Sequence, residues 1–272
     1  MAKMLTEEQV DHFRSQGWLA PLRAVDAAQA FDCAARIRAY EAKMGESANL
    51  SLKIKGHLAM PWLVELGRNP AILDALEDLI GPDIMLFGAS IFSKPGKDRA
   101  YVSWHQDSAY FGLDPHEEIT AWVAFTHSTA KSGALQVLAG THLGPDLVHE
   151  ETYASDNMLA RGQTLNIADE SRAVTIELQP GEFSLHHERT VHGSKPNRSD
   201  APRVGFAFFY IPPHVRSSVG RGTATLLRGV DRYGHWDFDP LPRFDLDPIA
   251  LDSMRSVWGQ YRNGGVKQAA EA

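Results

Sequence analysis

The sequence predicts a mainly β chain with flanking helices, the β part being a sandwich or barrel. Two observations carry this. The first 80 residues have helical spacing and helix-capping signals. From Ile84 onward, short segments rich in β-branched and aromatic residues follow one another, separated by Gly, Pro, Asp and Asn, as in barrels rather than parallel βαβ sheets. A third observation bounds the domain count: the 272 residues contain no repeat, low-complexity tract or Gly/Ser linker, so residues 1–272 read as one domain.

Thr6-Glu7-Glu8-Gln9 has capping-box spacing, Val10 and Phe13 supply an apolar face, and Gly17 stops the first helix. Asp26 caps a second helix to about Met44, with Phe31, Ala34, Ile37 and Tyr40 inward and Gly45 beyond its end. Asn69-Pro70 starts a third, with Ile72, Leu73, Leu76, Leu79 and Ile80 on one face and Gly81-Pro82 closing it. This helical part spans about residues 1–82. Strands are expected over residues 84–92, 119–125, 134–138, 173–178, 182–186 and 203–211. The polar stretch 143–170 reads as a lid over a site. Residues 214–272 form a C-terminal extension with Tyr233, Trp236 and Phe238, a final helix near 249–261 and a frayed end over 264–272.

Composition excludes several functions. Hydrophobic residues make up 43% and charged residues 22%, which is ordinary globular composition. No apolar run approaches the roughly 20 residues of a membrane span, and the N-terminal residues lack a signal peptide's apolar stretch. Lys+Arg 27 against Asp+Glu 34, with the basic residues scattered, argues against nucleic acid. A single cysteine, Cys33, fits a reducing, cytoplasmic setting. The 12 histidines are the unusual count and offer many metal ligands.

Ser103-Trp104-His105-Gln106-Asp107 is the most informative segment. In an extended strand, residues i and i+2 share a face, so His105 and Asp107 can reach one metal ion. One more histidine would complete a facial triad with three positions open. The triplet alone also fits a surface turn with Asp107 bonded to a backbone amide. A second segment runs from Pro180 to Asn197, a turn, a short strand that leads into His186 and His187, and a loop holding a third histidine, His192. Arg203 then opens an apolar strand. A guanidinium there needs a partner, either an internal carboxylate or a carboxylate ligand that its planar fork binds bidentately.

These segments, together with Trp122-Val123-Ala124-Phe125, the stretch from Ser132 to His142, and His192-Gly193-Ser194-Lys195-Pro196-Asn197, resemble the phytanoyl-CoA dioxygenase family. The resemblance runs from about Thr6 to about Pro213. It implies a double-stranded β-helix (jelly-roll, cupin-like) core over about residues 83–213. It also implies a dioxygenase using Fe(II), with 2-oxoglutarate and O2 as cosubstrates, that hydroxylates an unactivated C–H and releases succinate and CO2. Carried over by position, His105, Asp107 and His192 would be the iron ligands and catalytic centre. The Gly-Ser-x-Pro-Asn after His192 favours it over His186 and His187. Arg203 and Ser194 would bind the distal carboxylate of 2-oxoglutarate, and Trp122 would pack near it unless it is core. The carboxylate at position 107 favours hydroxylation or a related oxidation over halogenation, for which relatives carry a small residue there.

Substrate candidates are Lys53, Lys55, His57, Trp104, Gln106 and Tyr110, with Phe111 beside them. A lysine facing the pocket would imply an anionic substrate. Lys94, before a Pro-Gly turn, reads as a solvated end. His142 reads as a structural residue that bonds its loop, and His12, His116, His127, His149, His214 and His235 as surface or satisfied core. No basic cluster awaits a CoA phosphate, so the expected partner is a small polar metabolite or biosynthetic intermediate, with no nucleic acid or membrane. A homo-oligomer is compatible with the composition. The alternatives are a cupin-like metalloenzyme without cosubstrate, which would leave Arg203 without a role, and a non-catalytic binding module.

Overall fold

The computed structural model describes residues 3–159, 162–167 and 169–262. The expected frayed end over 264–272 lies outside the described residues. The helices are α1 (Glu7–Gln16), α2 (Ala27–Met44), α3 (Ala48–Ser51), α4 (Pro61–Gly67), α5 (Pro70–Ile80), α6 (Ser108–Phe111) and α7 (Pro248–Arg262). The strands before the middle of the chain are β1 (Trp18–Arg23), β2 (Ile84–Lys94), β3 (Val102–His105), β4 (Leu113–Asp114), β5 (Ile119–Ala124) and β6 (Leu135–Val137). Then come β7 (Glu150–Glu151), β8 (Gln163–Thr164), β9 (Val174–Ile176), β10 (Glu182–His187), β11 (His192–Ser194) and β12 (Arg203–Ile211). The strands end with β13 (Arg216–Ser217), β14 (Thr223–Arg228) and β15 (Asp237–Phe238).

The helix starts follow the sequence signals. Thr6 and Gln9 form a reciprocal capping box, as do Asp26 and Gln29, and Asn69 Oδ1 accepts from Ala71 N at 2.9 Å. In α2 the buried stripe is Ala30, Ala34, Ile37 and Tyr40. Phe31, expected inward, is exposed, because it sits one residue, about 100° of helix, off that stripe.

Two sheets build a double-stranded β-helix. Among the described residues the larger has seven strands in the order β1-β10-β5-β12-β2-β14-β15, and the smaller four, β3-β11-β6-β9. Two expectations are corrected here. Trp18–Arg23 lies within the stretch read as helical, yet it pairs with β10 as an edge strand, where Pro21 does not interrupt a ladder on both sides. Thr223–Arg228 lies in the C-terminal extension, yet it pairs with β2 inside the larger sheet.

Strand β12 shows how the layers form. Both its faces are buried, and its side chains divide by the pleat. Val204, Phe206, Phe208 and Tyr210 join the core under the helices, with Phe13, Ile37, Leu63 and Leu73. Ala207, Phe209 and Ile211 face the barrel interior with Trp122, Val137, Ile176 and Trp236. Arg203 and Gly205 have the same parity as this interior set. Stretch 143–170 is laced to β3 rather than free: Met158 N donates to Tyr101 O at 2.9 Å and Leu165 N to Trp104 O at 2.8 Å. No helix of the described residues is long and apolar enough to cross a membrane.

Candidate active site

The barrel interior opens into a cavity walled by both sheets. At one place β3 and β11 pair antiparallel with His105 opposite His192, so the register alone sets the two imidazoles side by side, ring centroids 4.1 Å apart. Strand β3 ends at His105. Asp107 therefore arrives from the first turn leading into α6, not from the extended strand the sequence suggests. Its carboxylate caps no backbone amide. Oδ1 lies 3.4 Å from His105 Nε2 and Oδ2 3.9 Å from His192 Nε2.

One ligand atom from each of the three residues lies within 4.8 Å of the other two. The protonation pattern suits a metal. His105 Nδ1 lies 2.9 Å from Ser103 O, and His192 Nδ1 lies 2.9 Å from Thr190 O. A carbonyl only accepts, so each Nδ1 carries the hydrogen and each Nε2 presents a lone pair. Burial holds His192 well below the usual imidazole range, which keeps it neutral. Burial pushes the Asp107 carboxyl up, but the facing imidazoles of His105 and His192 outweigh it and hold it at about 2. Two imidazoles and one carboxylate fit Fe(II) and leave three positions for other ligands.

Elsewhere on the cavity wall, Arg203 is 2% exposed and has no carboxylate within ion-pair distance among the described residues. It donates to Gly133 O at 2.8 Å and more weakly to Phe92 O at 3.4 Å and Ser194 Oγ at 3.4 Å. Its Nε is buried without a partner. Burial brings the guanidinium down to about 10, so it stays charged at neutral pH. Trp122 lies under it, 5.2 Å from ring centroid to Cζ, and Gly205 makes room for that ring: a Cβ there would fall 2.0 Å from Trp122 Cζ2. A buried guanidinium with a free donor and no counter-charge fits a carboxylate ligand.

Lys94 is a correction. It is 0% exposed rather than solvated, because the β2–β12 register sets it opposite Arg203. Its Nζ donates to Ser194 Oγ at 2.7 Å, Lys195 O at 2.6 Å and Ser194 O at 3.3 Å. Burial, then the adjacent Arg203, lower it to about 6.

Among the substrate candidates, the structure brings Lys53 to the cavity, with Nζ on Ile91 O at 2.9 Å and over the Phe92 ring at 4.2 Å. Burial alone lowers it to about 7. The others are not brought there. Lys55 turns the opposite way, into a buried pair with Asp239 at 3.1 Å, and His57 lies 3.7 Å from the same carboxylate. Trp104 donates to Glu170 Oε1 at 3.0 Å on the far side of β3. Gln106 is spent on Arg189 O and Leu147 N, both at 2.8 Å. Tyr110 packs edge-on against His149, while its neighbour Phe111 does line the cavity. His142 is structural, but it bonds Arg14 O of α1 at 3.1 Å rather than its own loop.

Sequence reading missed several wall residues. His186 is not one of these: weighed in the sequence against His192, it lies beside it at 4.5 Å between centroids, outside the ligand group. The remaining surface is largely apolar, from Phe209 on β12, Met158 and Leu159 of stretch 143–170, and Trp258 of α7. Period-two patterning marks Phe209 as interior, but nothing local marks a loop or a distant helix as cavity wall.

Comparison with known proteins agrees with this geometry. Residues 5–205 match the family model described as phytanoyl-CoA dioxygenase. A probable alpha-ketoglutarate-dependent hypophosphite dioxygenase of Stutzerimonas stutzeri is 30% identical over 62% of this chain and 61% of its own length. A probable phytanoyl-CoA dioxygenase of Caenorhabditis elegans is 31% identical over 80% of this chain and 72% of its own. The matched stretch thus takes in less than two thirds of the first of these relatives. Among solved structures, a non-heme monooxygenase, ThoJ in its apo form, superposes with a TM-score of 0.82 at 31% identity, over 94% of this chain and 97% of that one. CytC3 with Fe(II) and alpha-ketoglutarate, another name for 2-oxoglutarate, superposes at 0.67 and 25% identity, over 90% of this chain and 97% of that one.

Proposed function

The chain belongs to the phytanoyl-CoA dioxygenase family, and from that premise we propose that it hydroxylates an unactivated C–H of a small molecule, using Fe(II), 2-oxoglutarate and O2. The observation that carries the reading is the pairing of two features in one cavity. His105, Asp107 and His192 converge, and Arg203 is buried with no counter-charge among the described residues. A cupin-like enzyme without cosubstrate would need the first and leave the second unexplained.

His105, Asp107 and His192 would hold the iron, the imidazoles through Nε2 because Nδ1 is committed to backbone. When bound, that iron couples O2 activation to oxidative decarboxylation of the 2-oxo acid. Arg203 would receive the distal carboxylate, with Ser194 as a second donor, and Trp122 would fix the guanidinium from below. Anchoring that end orients the 2-oxo end toward the metal site. Apolar walls exclude water from the reacting atoms. Asp107 fills the carboxylate ligand position, which favours hydroxylation over halogenation.

The substrate is read as a small metabolite with a hydrocarbon body, matching Phe111, Phe209, Met158 and Trp258, and Lys53 supplies an anchoring point for an anionic group. The whole chain is read as one catalytic unit, since β14 completes the larger sheet and α7 brings Trp258 to the cavity.

The test is an anaerobic titration of metal-free protein with Fe(II) and then 2-oxoglutarate, followed in the visible. A weak charge-transfer band is expected only with both, and it should vanish in His192→Ala. Iron binding without such a band would move the cosubstrate-free alternative forward. Succinate release across a panel of small acids then identifies the substrate.

A further inference from the structure

We propose that Lys94 is a positioning residue for the distal carboxylate of the 2-oxo acid, acting through the Ser194 hydroxyl. The inference rests on the cosubstrate reading above and assigns a role that neither the ligand triad nor Arg203 requires.

The argument begins with register. Lys94 ends β2 and Arg203 begins β12, and the antiparallel ladder makes them direct partners. Two basic side chains are thereby buried side by side, and neither has a carboxylate within ion-pair distance among the described residues. Like charges in such a place are costly unless something anionic joins them. The end of β2 is held in place as well: Asn197 Nδ2 donates to Lys94 O at 3.1 Å and to Pro95 O at 2.9 Å.

The donor inventory supplies the mechanism. Three oxygens surround Lys94 Nζ, namely Ser194 Oγ at 2.7 Å, Lys195 O at 2.6 Å and Ser194 O at 3.3 Å, and three acceptors match the three hydrogens of an ammonium. Ser194 Oγ therefore receives hydrogen from Lys94 and, at 3.4 Å, from Arg203. A hydroxyl has two lone pairs and one hydrogen. Once a bound carboxylate draws a proton onto Lys94, both lone pairs are turned to cations, neither of which can accept, and the Ser194 hydrogen is left for the cavity, which Ser194 lines. Lys94 itself stands behind Ser194 and does not line the cavity, so it touches no ligand directly. Its work is to fix the hydroxyl as a donor to a carboxylate oxygen, beside the guanidinium.

The consequence is selectivity for an oxo acid with a charged far end. 2-Oxopentanoate has the same five carbons as 2-oxoglutarate but ends in a methyl group, and so has nothing for Ser194 to bond. Calorimetric titration of Mn(II)-loaded protein with each acid reads binding without turnover. In Lys94→Met, the dissociation constant for 2-oxoglutarate should rise tenfold or more while that for 2-oxopentanoate stays within twofold. In a Ser194→Ala background, the same lysine substitution should change 2-oxoglutarate binding by less than threefold. Equal weakening of both acids, unchanged 2-oxoglutarate binding in Lys94→Met, or full additivity with Ser194→Ala would each overturn the proposal. If Lys94→Met does not fold, Lys94→Gln is judged by the same criteria. A wild-type protein that binds metal but no 2-oxoglutarate would instead defeat the cosubstrate reading itself.

Discussion

Replacing Arg203 by Met should separate two quantities that usually move together, the stability of the unliganded protein and its affinity for 2-oxoglutarate. Met keeps an unbranched stem to pack on Trp122 and removes the charge. In the unliganded protein the loss is chiefly one good hydrogen bond, to Gly133 O at 2.8 Å. A hydrogen bond from a charged group contributes about 1.5–3 kcal/mol. Against it stands relief of a buried guanidinium with an unpartnered Nε, a desolvation cost of several kcal/mol on the scale of buried ions. The second term is at least as large, so the unliganded variant should melt at the wild-type temperature or above. Binding moves the other way. Deleting one partner of a buried charge–carboxylate pair costs about 3–5 kcal/mol, roughly two to nearly four decades in dissociation constant. The assay is thermal unfolding of Mn(II)-loaded protein with and without 2-oxoglutarate. At a hundredfold excess over its dissociation constant, ligand stabilises the wild type by about 2.7 kcal/mol, roughly 5–10 °C for a chain this long. The variant should show no shift at that concentration. A variant that melts several degrees lower when unliganded, yet still responds to 2-oxoglutarate, would make Arg203 a structural charge and refute the reasoning.

Three further outcomes follow from other parts of the molecule. Gly205→Ala would place a Cβ 2.0 Å from Trp122 Cζ2, so thermal unfolding should register about 1–3 kcal/mol of overpacking, with weaker 2-oxoglutarate binding as the ring is displaced from under Arg203. Asp239→Asn strands the buried Lys55 and should lower stability by about 3–5 kcal/mol in urea unfolding, while 2-oxoglutarate affinity stays within twofold because neither residue lines the cavity. Affinity for 2-oxoglutarate should fall as pH rises from 6.5 to 8.5. Lys94, lowered to about 6 by burial and the facing Arg203 and only partly restored by Asp98, must take up a proton to become the ammonium a carboxylate favours. The expected slope approaches tenfold per pH unit. Calorimetry in buffers of different ionisation enthalpy should show that uptake, and a flat profile would count against it.

What could be read in the sequence divides along the reach of each interaction. Helix caps are local, and Thr6, Asp26 and Asn69 announced their helices within three residues. Strands buried on both faces, such as Arg203–Ile211, are local runs of apolar residues and were equally plain. Trp18–Arg23 and Thr223–Arg228 are strands only because distant partners complete them, through β10 and β2 respectively. The same division runs through the site. His105, Asp107, His192 and Arg203 belong to sequence motifs that can be matched, and the structure brings the first three together with the fourth on the wall of the same cavity. Lys94 looks like any lysine before Pro-Gly until β2 lies against β12. Lys53 and Lys55 are two residues apart, but only the tertiary structure sends one to the cavity and the other to Asp239, 184 residues away.

The cavity wall that includes Trp258 has a bearing on how such an enzyme changes over time. His105, His192 and Arg203 are fixed to the sheets and Asp107 to the turn after β3, all within the part of the chain that matches the family model, residues 5–205. Trp258 belongs to a helix beyond that part, and Met158 and Leu159 to a stretch with little regular structure. On the proposed function, reactive chemistry and substrate shape would be carried by different side chains. On the proposed function, a lineage that changes the side chains at positions 158, 159 and 258, and keeps the backbone bonds to Tyr101 and Trp104, would oxidise a different molecule at the same metal site. Inheritance of the reaction and divergence of the diet would then rest on different side chains.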